Sequence, residues 1–365
     1  MKRRSFVQGA TVTALAAATP AVSPGAVNAQ DLTKVRLTLP WVPDAFYGYA
    51  YVAVDQGFWR KRGLDVALSP GTGSMTAAQG VVAGQFDFGI IATSTLIQLA
   101  AKSLPLVGLG IIDYNATMGV GLLADSPIRK SKDLEGKRVA QTLASADAPY
   151  FAPFAKKTGI DLSKVQLIAM DPNIRNRALI EKQVDAITGI ADAILPTALA
   201  AGVKTRFMLY GDYGLDFYGN CLISKSQALA QNPRLCQAVF DGLMEGVAFQ
   251  MAHPQETVAI FLRQVPETAI SASSRDYAKI GVEMLQFSVL SENDILQHGF
   301  GWGDPKKLDT MIDLVLKYQT AAGTARPARS AVFPLPFKDQ SKATAAQWAA
   351  AQQNIAGVSK ALRAT

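Results

Sequence analysis

The chain has 365 residues, of which 49% are hydrophobic and 18% charged, and a formal charge of +7. That is apolar material enough for two packed domains, and it excludes disorder as a description of the whole. The basic clusters Arg60-Lys61-Arg62 and Arg129-Lys130 with Lys132 have no interleaved aromatics, so they read as solvated faces and exclude a nucleic-acid surface.

At the N-terminus Lys2, Arg3 and Arg4 precede an alanine-rich apolar run from Val7 to Ala18, and Val27-Asn28-Ala29 is a small-residue cleavage pattern. Arg3-Arg4-Ser5-Phe6-Val7 matches the twin-arginine form of export signal, so residues 1–29 are expected to be a cleaved signal peptide. Its removal lowers the formal charge from +7 to +4. The apolar run is shorter than the roughly 20 helical residues that span a bilayer, so the mature chain is expected to be periplasmic and not membrane-inserted.

Val35, Leu37 and Leu39 alternate with Arg36 and Thr38 as a first strand, which Pro40 and Pro43 close because proline has no N–H for a ladder. The loop that follows carries Trp41, Phe46, Tyr47 and Tyr49. It leads into a helix on which Ala50, Val54 and Phe58 are expected to share a face. In open α/β sheets small ligands bind beyond the carboxyl ends of strands, which makes Trp41, Tyr47 and Tyr49 candidate ligand contacts.

Leu64 to Leu68 is a second strand, and Pro70-Gly71-Thr72-Gly73-Ser74 turns into a helix over 75–83, with Ser74 as the expected N-cap. Phe86 to Ile91 is a buried strand ending at Thr93-Ser94-Thr95, where a hydroxyl-rich turn starts the next helix. Leu106 to Ile112 and Val120 to Leu123 are further apolar strands, joined through Asn115. Ala144-Ser145-Ala146-Asp147 precedes a helix holding Tyr150 and Phe154.

Gly84-Gln85-Phe86-Asp87 is echoed by Lys182-Gln183-Val184-Asp185 at an offset of 98 residues. Both stand at a helix-to-strand junction, and each following strand ends at a small-residue loop, the second at Gly189-Ile190-Ala191-Asp192. Two similar α/β lobes follow from this, with boundaries at 30–117 for the first part of lobe 1, 118–224 for lobe 2, and 225–337 for a helical return to lobe 1. Asn220 to Ile223 is expected to pair with Val120 to Leu123, and two crossovers between the lobes would act as a hinge. Leu235, Val239, Leu243, Val247 and Met251 recur every four residues in the return, and 338–365 is read as an alanine-rich helical appendage.

Cys221 and Cys236 stand in strand-like and helix-like runs, and sequence does not decide whether they pair. His253 and His298 have no metal-ligand spacing, and neither metal nor cofactor is expected.

With these pieces placed, the mature chain resembles the substrate-binding proteins of ABC importers, in the family that holds nitrate, sulfonate and taurine binders together with binders of thiamine pyrimidine precursors. The resemblance rests on Trp41 with Gly57-Phe58-Trp59, on Gly63-Leu64-Asp65-Val66, Pro70-Gly71-Thr72-Gly73-Ser74, Ala83-Gly84-Gln85-Phe86-Asp87-Phe88-Gly89 and Asp133-Leu134-Glu135-Gly136-Lys137-Arg138. It implies the two-lobed type 2 periplasmic-binding-protein fold, an α/β class, and a monomer that closes on one small-molecule ligand and delivers it to a permease with its ATPase. Carried over by position, it implies ligand contacts from Trp41, Tyr47, Ser74, Thr93, Ser94, Asn115, Ser145, Gly189, Asp192 and Tyr218. Pyrimidine-binding relatives place an acidic residue shortly after the glycine matching Gly189, a role here open only to Asp192.

Rings are plentiful and arginine forks scarce in the candidate loops, which favours a flat, largely neutral heteroaromatic ligand over a sulfonate, taurine or nitrate. A pyrimidine-forming yeast enzyme shares the pattern but depends on a cysteine-rich iron motif and a reactive histidine. Two isolated cysteines and two distant histidines do not match that motif, so binding without catalysis is expected. A ligand sensor for a receptor kinase is the remaining alternative.

Overall fold

The computed structural model describes residues 32–271, 273–335, 337 and 342–363; the expected signal peptide lies outside them. Among the described residues ten strands form two five-stranded mixed sheets. The first contains β1 (Thr33–Thr38), β2 (Leu64–Ser69), β3 (Phe88–Ala92) and β4 (Leu106–Ile111). The second contains β5 (Met118–Leu123), β6 (Arg138–Gln141), β7 (Gln166–Ala169), β8 (Ala186–Ile190) and β9 (Thr205–Leu209), and β10 (Asn220–Lys225) returns to the first.

The sheet orders, β2-β1-β3-β10-β4 and β7-β6-β8-β5-β9, are the same arrangement built twice. In each the first three strands run parallel and the fourth runs antiparallel to both neighbours. Residues 112–117 lead from β4 to β5 and residues 210–219 from β9 to β10, giving the two crossovers between the lobes.

The internal echo has a shared physical content. Arg36 donates from its backbone N and Nε to Asp87 Oδ2 at 2.8 and 3.2 Å, and from Nη2 to Oδ1 at 2.8 Å. Arg138 does the same to Asp185, at 2.8, 3.1 and 2.9 Å. Each Nη2 also reaches a carbonyl of the preceding turn, Gly84 in one lobe and Lys182 in the other. Those two residues take the same left-handed backbone, with φ of 78° and 59°. The aspartate therefore locks the second strand of each sheet, β1 or β6, to the turn before its neighbour β3 or β8, by a two-pronged charge-assisted contact.

One expected pairing is corrected. Asn220–Lys225 does not join Val120 to Leu123 but inserts between β3 and β4, with Asn220 opposite Ala92 and Cys221 opposite Ile111. Both candidate partners are apolar on every residue, so alternation carries no register or partner information. The strand expected to close lobe 2 thus belongs to the first sheet.

The face proposed for Ala50, Val54 and Phe58 also fails: the helix runs only Gly48–Asp55, Val54 is 38% exposed, and Phe58 lies beyond its end. Trp59 instead anchors this segment, its indole N–H donating 2.9 Å to Val239 O in the long helix Pro233–Ala252. A Cβ on Gly242 of that helix would stand 2.2 Å from the indole Cδ1, so only glycine admits the ring. The four-residue repeat expected there holds, with Val239, Leu243, Val247 and Met251 buried.

Cys221 and Cys236 are both buried and unpaired. Residues 345–363 form two helices, Ala345–Asn354 and Ala356–Arg363, which bury Trp348, Ala351, Val358 and Leu362. The first packs on the long helix and on Ser274–Val289, and the second on Ser274–Val289 and edge strand β9.

Candidate ligand-binding cleft

The loop after β1 is held by a buried carboxylate. Asp44 caps the following turn, accepting from Phe46 N at 2.8 Å, while its other oxygen accepts from Tyr277 Oη at 2.7 Å. This sets the edge-to-face run of Phe46, Tyr47 and Tyr49, with centroids 5.3 and 6.4 Å apart, and directs Trp41 and Tyr47 toward the gap between the sheets. With Pro40, Ser74 and Asn220 they form one wall. The facing wall is Ser145, Ala146, Arg175, Ile190, Asp192 and Ala193, and the walls stand close together, leaving a cavity of about 20 Å³, room for about one water molecule.

The lobes touch directly beside this cleft. Gly73 adopts φ 148° and ψ 150°, and a Cβ there would lie 2.3 Å from Ala144 O across the gap. Met75 N donates to the same carbonyl at 3.4 Å. Gly73, not Ser74, occupies the N-cap position of the helix Ser74–Val82. The Ser74 hydroxyl is spent elsewhere, accepting from Ala92 N at 3.0 Å and so tying the helix start to the end of β3.

Carboxylates crowd the rear of the site. Burial raises the Asp44 pKa to about 6 and that of Asp113 to about 7, even though Asp113 accepts from Asn220 N, Asn220 Nδ2 and Ser288 Oγ at 2.9, 2.8 and 3.3 Å. Asp192, in the first turn of the helix Ala191–Ala200, is pushed well above the ordinary carboxylate range by burial and then by the charges of Asp44 and Asp113. Asp147 is fully buried; its Oδ1 accepts from Ser145 Oγ, and its Oδ2 has no partner.

Of the ten residues singled out from sequence, Trp41, Tyr47, Ser74, Ser145 and Asp192 line this cleft. Thr93 and Ser94 start the helix Thr93–Ala100 but are buried without lining it, and their hydroxyls have no hydrogen-bond partner. Asn115 lies in the first crossover, where its Oδ1 accepts from Thr117 N at 3.0 Å and it borders a separate groove with Asp212 and Asp216. Tyr218 is turned away into a cluster of Tyr114, Glu292 and the Lys307 ammonium, which sits 4.4 Å over its ring. Gly189 is behind the wall in β8, paired with Gly119.

The residue most conspicuously missed is Arg175. It comes from the helix Pro172–Ile180, is 1% exposed, and places its guanidinium carbon 5.3 Å from the centre of the Trp41 ring. Arginine forks were read as scarce from the candidate loops alone, and the arginine of this cleft comes from a helix. Asn220 was also missed: as an apparent strand residue it gave no polar-site signal, and its position opposite Ala92 at the end of β3 brings it to the gap.

Residues 46–257 match the family model described as NMT1/THI5 like. A protein of Brucella abortus described as a binding protein is 23% identical over 215 residues, covering 57% of this chain and 65% of its own length. The match thus spans just under two thirds of that relative. The formylaminopyrimidine-binding protein of Halalkalibacterium halodurans is 22% identical over 240 residues, covering 65% of this chain and 72% of its own. Among solved structures, the periplasmic aliphatic sulphonate binding protein SsuA of Escherichia coli superposes with a TM-score of 0.60 at 15% identity, over 80% of this chain and 95% of that one. That likeness establishes the periplasmic binding protein fold. Among the described residues no helix is long and apolar enough to cross a membrane.

Proposed function

This chain belongs to the NMT1/THI5-like family, and on that premise we propose that it is the extracytoplasmic substrate-binding component of an ABC importer, capturing a small nitrogen heteroaromatic molecule between its lobes without converting it. The observation that carries the reading is the meeting of Trp41 and Tyr47 on one wall with Asp192 on the other. A flat ring laid against the aromatics gains about 0.5–1.5 kcal/mol beyond its buried area. A carboxyl group whose pKa is raised can both donate to and accept from adjacent ring-nitrogen and amino groups. The formylaminopyrimidine-binding relative agrees in ligand class.

Capture works by differential affinity. A ligand that touches both walls only when they are together shifts the protein toward the closed form by the free energy of the interactions it makes only there. Micromolar binding needs about 8 kcal/mol, which ring burial and a few polar interactions supply. In this reading the monomer, exported with its N-terminal 29 residues removed, docks on a permease and its ATPase.

A second reading, an oxyanion binder of the sulfonate or nitrate type, is favoured by Arg175 in the same cleft. One experiment separates them: thermal-shift and calorimetric screening of the mature protein with pyrimidines, flavins, sulfonates and nitrate. The expected result is one heteroaromatic bound per chain, with no turnover, and Trp41→Ala weakening it by about tenfold or more. Full affinity in that variant, or chemical conversion of the ligand, would refute the proposal.

A further inference from the structure

Arg175 is built into the cleft by three elements and left with one nitrogen, Nη1, unpartnered among the described residues. Its Nε and Nη2 both donate to Asn176 Oδ1, at 3.2 and 3.1 Å. Asn176 in turn is fixed by its Nδ2, which donates to Ala193 O at 2.6 Å, one residue beyond Asp192. Gly189 makes room from behind, since a Cβ there would stand 3.1 Å from Nη2. Nη1 alone has no partner, although the side chain is buried and lines the cleft.

A buried guanidinium normally rests on a carboxylate, because an unpaired charge removed from water is costly. Asp147 and Asp192 are near enough to act on Arg175 through space. Among the described residues, however, neither makes a hydrogen bond or ion pair with it, and Asp147 Oδ2 is itself without a partner. Burial lowers the affinity of Arg175 for its proton, yet a guanidinium is too basic to give it up. Nη1 is therefore a charged, oriented donor held against the Trp41 ring with no acceptor among the described residues.

We propose that Arg175 is the anion-recognising residue of the cleft, and that the ligand is a heteroaromatic carrying an oxyanion, such as a ring carboxylate, that accepts from Nη1 while the ring lies on Trp41. This rests on the capture reading above and deepens it. It merges the two readings of the ligand into one molecule with a flat nitrogenous ring and an acidic substituent.

The test uses a matched pair of probes, 4-amino-2-methylpyrimidine-5-carboxylate and 4-amino-2,5-dimethylpyrimidine, titrated calorimetrically into wild type and Arg175→Met. The carboxylate is expected to bind wild type about tenfold or more tightly than its neutral partner. In Arg175→Met the ratio of the two affinities falls to about one, whatever change in affinity the two probes share. Equal affinity of the two probes for wild type would overturn the assignment and leave the capture reading standing. If neither probe bound, the heteroaromatic reading and this assignment would fall together. Should Arg175→Met not fold, the crystal structure of the wild-type carboxylate complex decides: an oxyanion within hydrogen-bond distance of Nη1 supports the assignment, and one turned away from it refutes it.

Discussion

Replacing Gly73 by alanine puts a methyl group where the lobes meet. The new Cβ would lie 2.3 Å from Ala144 O and 2.6 Å from its carbonyl carbon, backbone atoms that cannot swing aside as a side chain could. Relief requires the lobes to part. The clash costs about 1–3 kcal/mol by analogy with overpacked cores, and because it exists only in the closed form it falls on closure. Apparent affinity scales with the fraction of molecules able to close, so the expected loss is roughly 5- to 150-fold. A separate penalty of about 1–3 kcal/mol attaches to any L-residue at φ 148° and ψ 150°, in open and closed forms alike. Gly136→Ala is the control, since that residue has φ 77° and nothing within 4 Å of where its new methyl would stand. Calorimetric titration with the best ligand from the screen, together with solution scattering, reads the effect. Gly73→Ala should bind more weakly and remain expanded with ligand present, whereas Gly136→Ala should lose stability alone. Unchanged affinity and radius of gyration in Gly73→Ala would refute the closure argument.

Two further predictions concern stability. Asp44 titrates near 6 when folded against an ordinary 3.8, so between those values the native state holds a proton the unfolded chain has lost, and stability falls as pH rises through about 4 to 6, by on the order of 3 kcal/mol. Asp44→Asn, which keeps an acceptor for Phe46 N but cannot ionise, should make that slope shallower by Asp44's share in urea unfolding between pH 4 and 7, leaving the share of Asp113 and Asp192, whose pKa values burial also raises; an unchanged slope would show that Asp44 contributes nothing to it. Gly242→Ala should cost about 1–3 kcal/mol by driving a methyl into the Trp59 indole, and a melting temperature equal to wild type would show that the helix and the ring can move apart freely.

Much of the molecule was legible before any coordinates. The echo at Asp87 and Asp185 was visible as four letters, and it proved to mark a repeated Arg–Asp lock in two sheets of the same order. Local chemistry is what made it readable: a helix end, a left-handed turn and a charged strand start are neighbours in sequence or follow a pattern of short range. Trp41, Tyr47, Ser74, Ser145 and Asp192 were legible for a related reason, since each stands at the end of a strand or the start of a helix, and those ends are where an α/β fold opens. The chain's division into two sheets of the same order and its likeness to binding proteins follow from such local signals.

Tertiary structure alone decided the rest. The strands β10 could have joined are apolar throughout and offer no alternating face to select it, so its place between β3 and β4 is set by how the first sheet assembles. Arg175 reads in sequence as one more charge on a polar helix, beside Arg177, which is exposed. What separates the two is burial, the clamp by Asn176 and the indole it faces, all of them set by elements distant in the chain. Hydrophobic period and capping chemistry act over a few residues and so are written in the sequence. The charge balance of a cleft is a sum over walls that only folding brings together, and its result here is visible only in the folded chain.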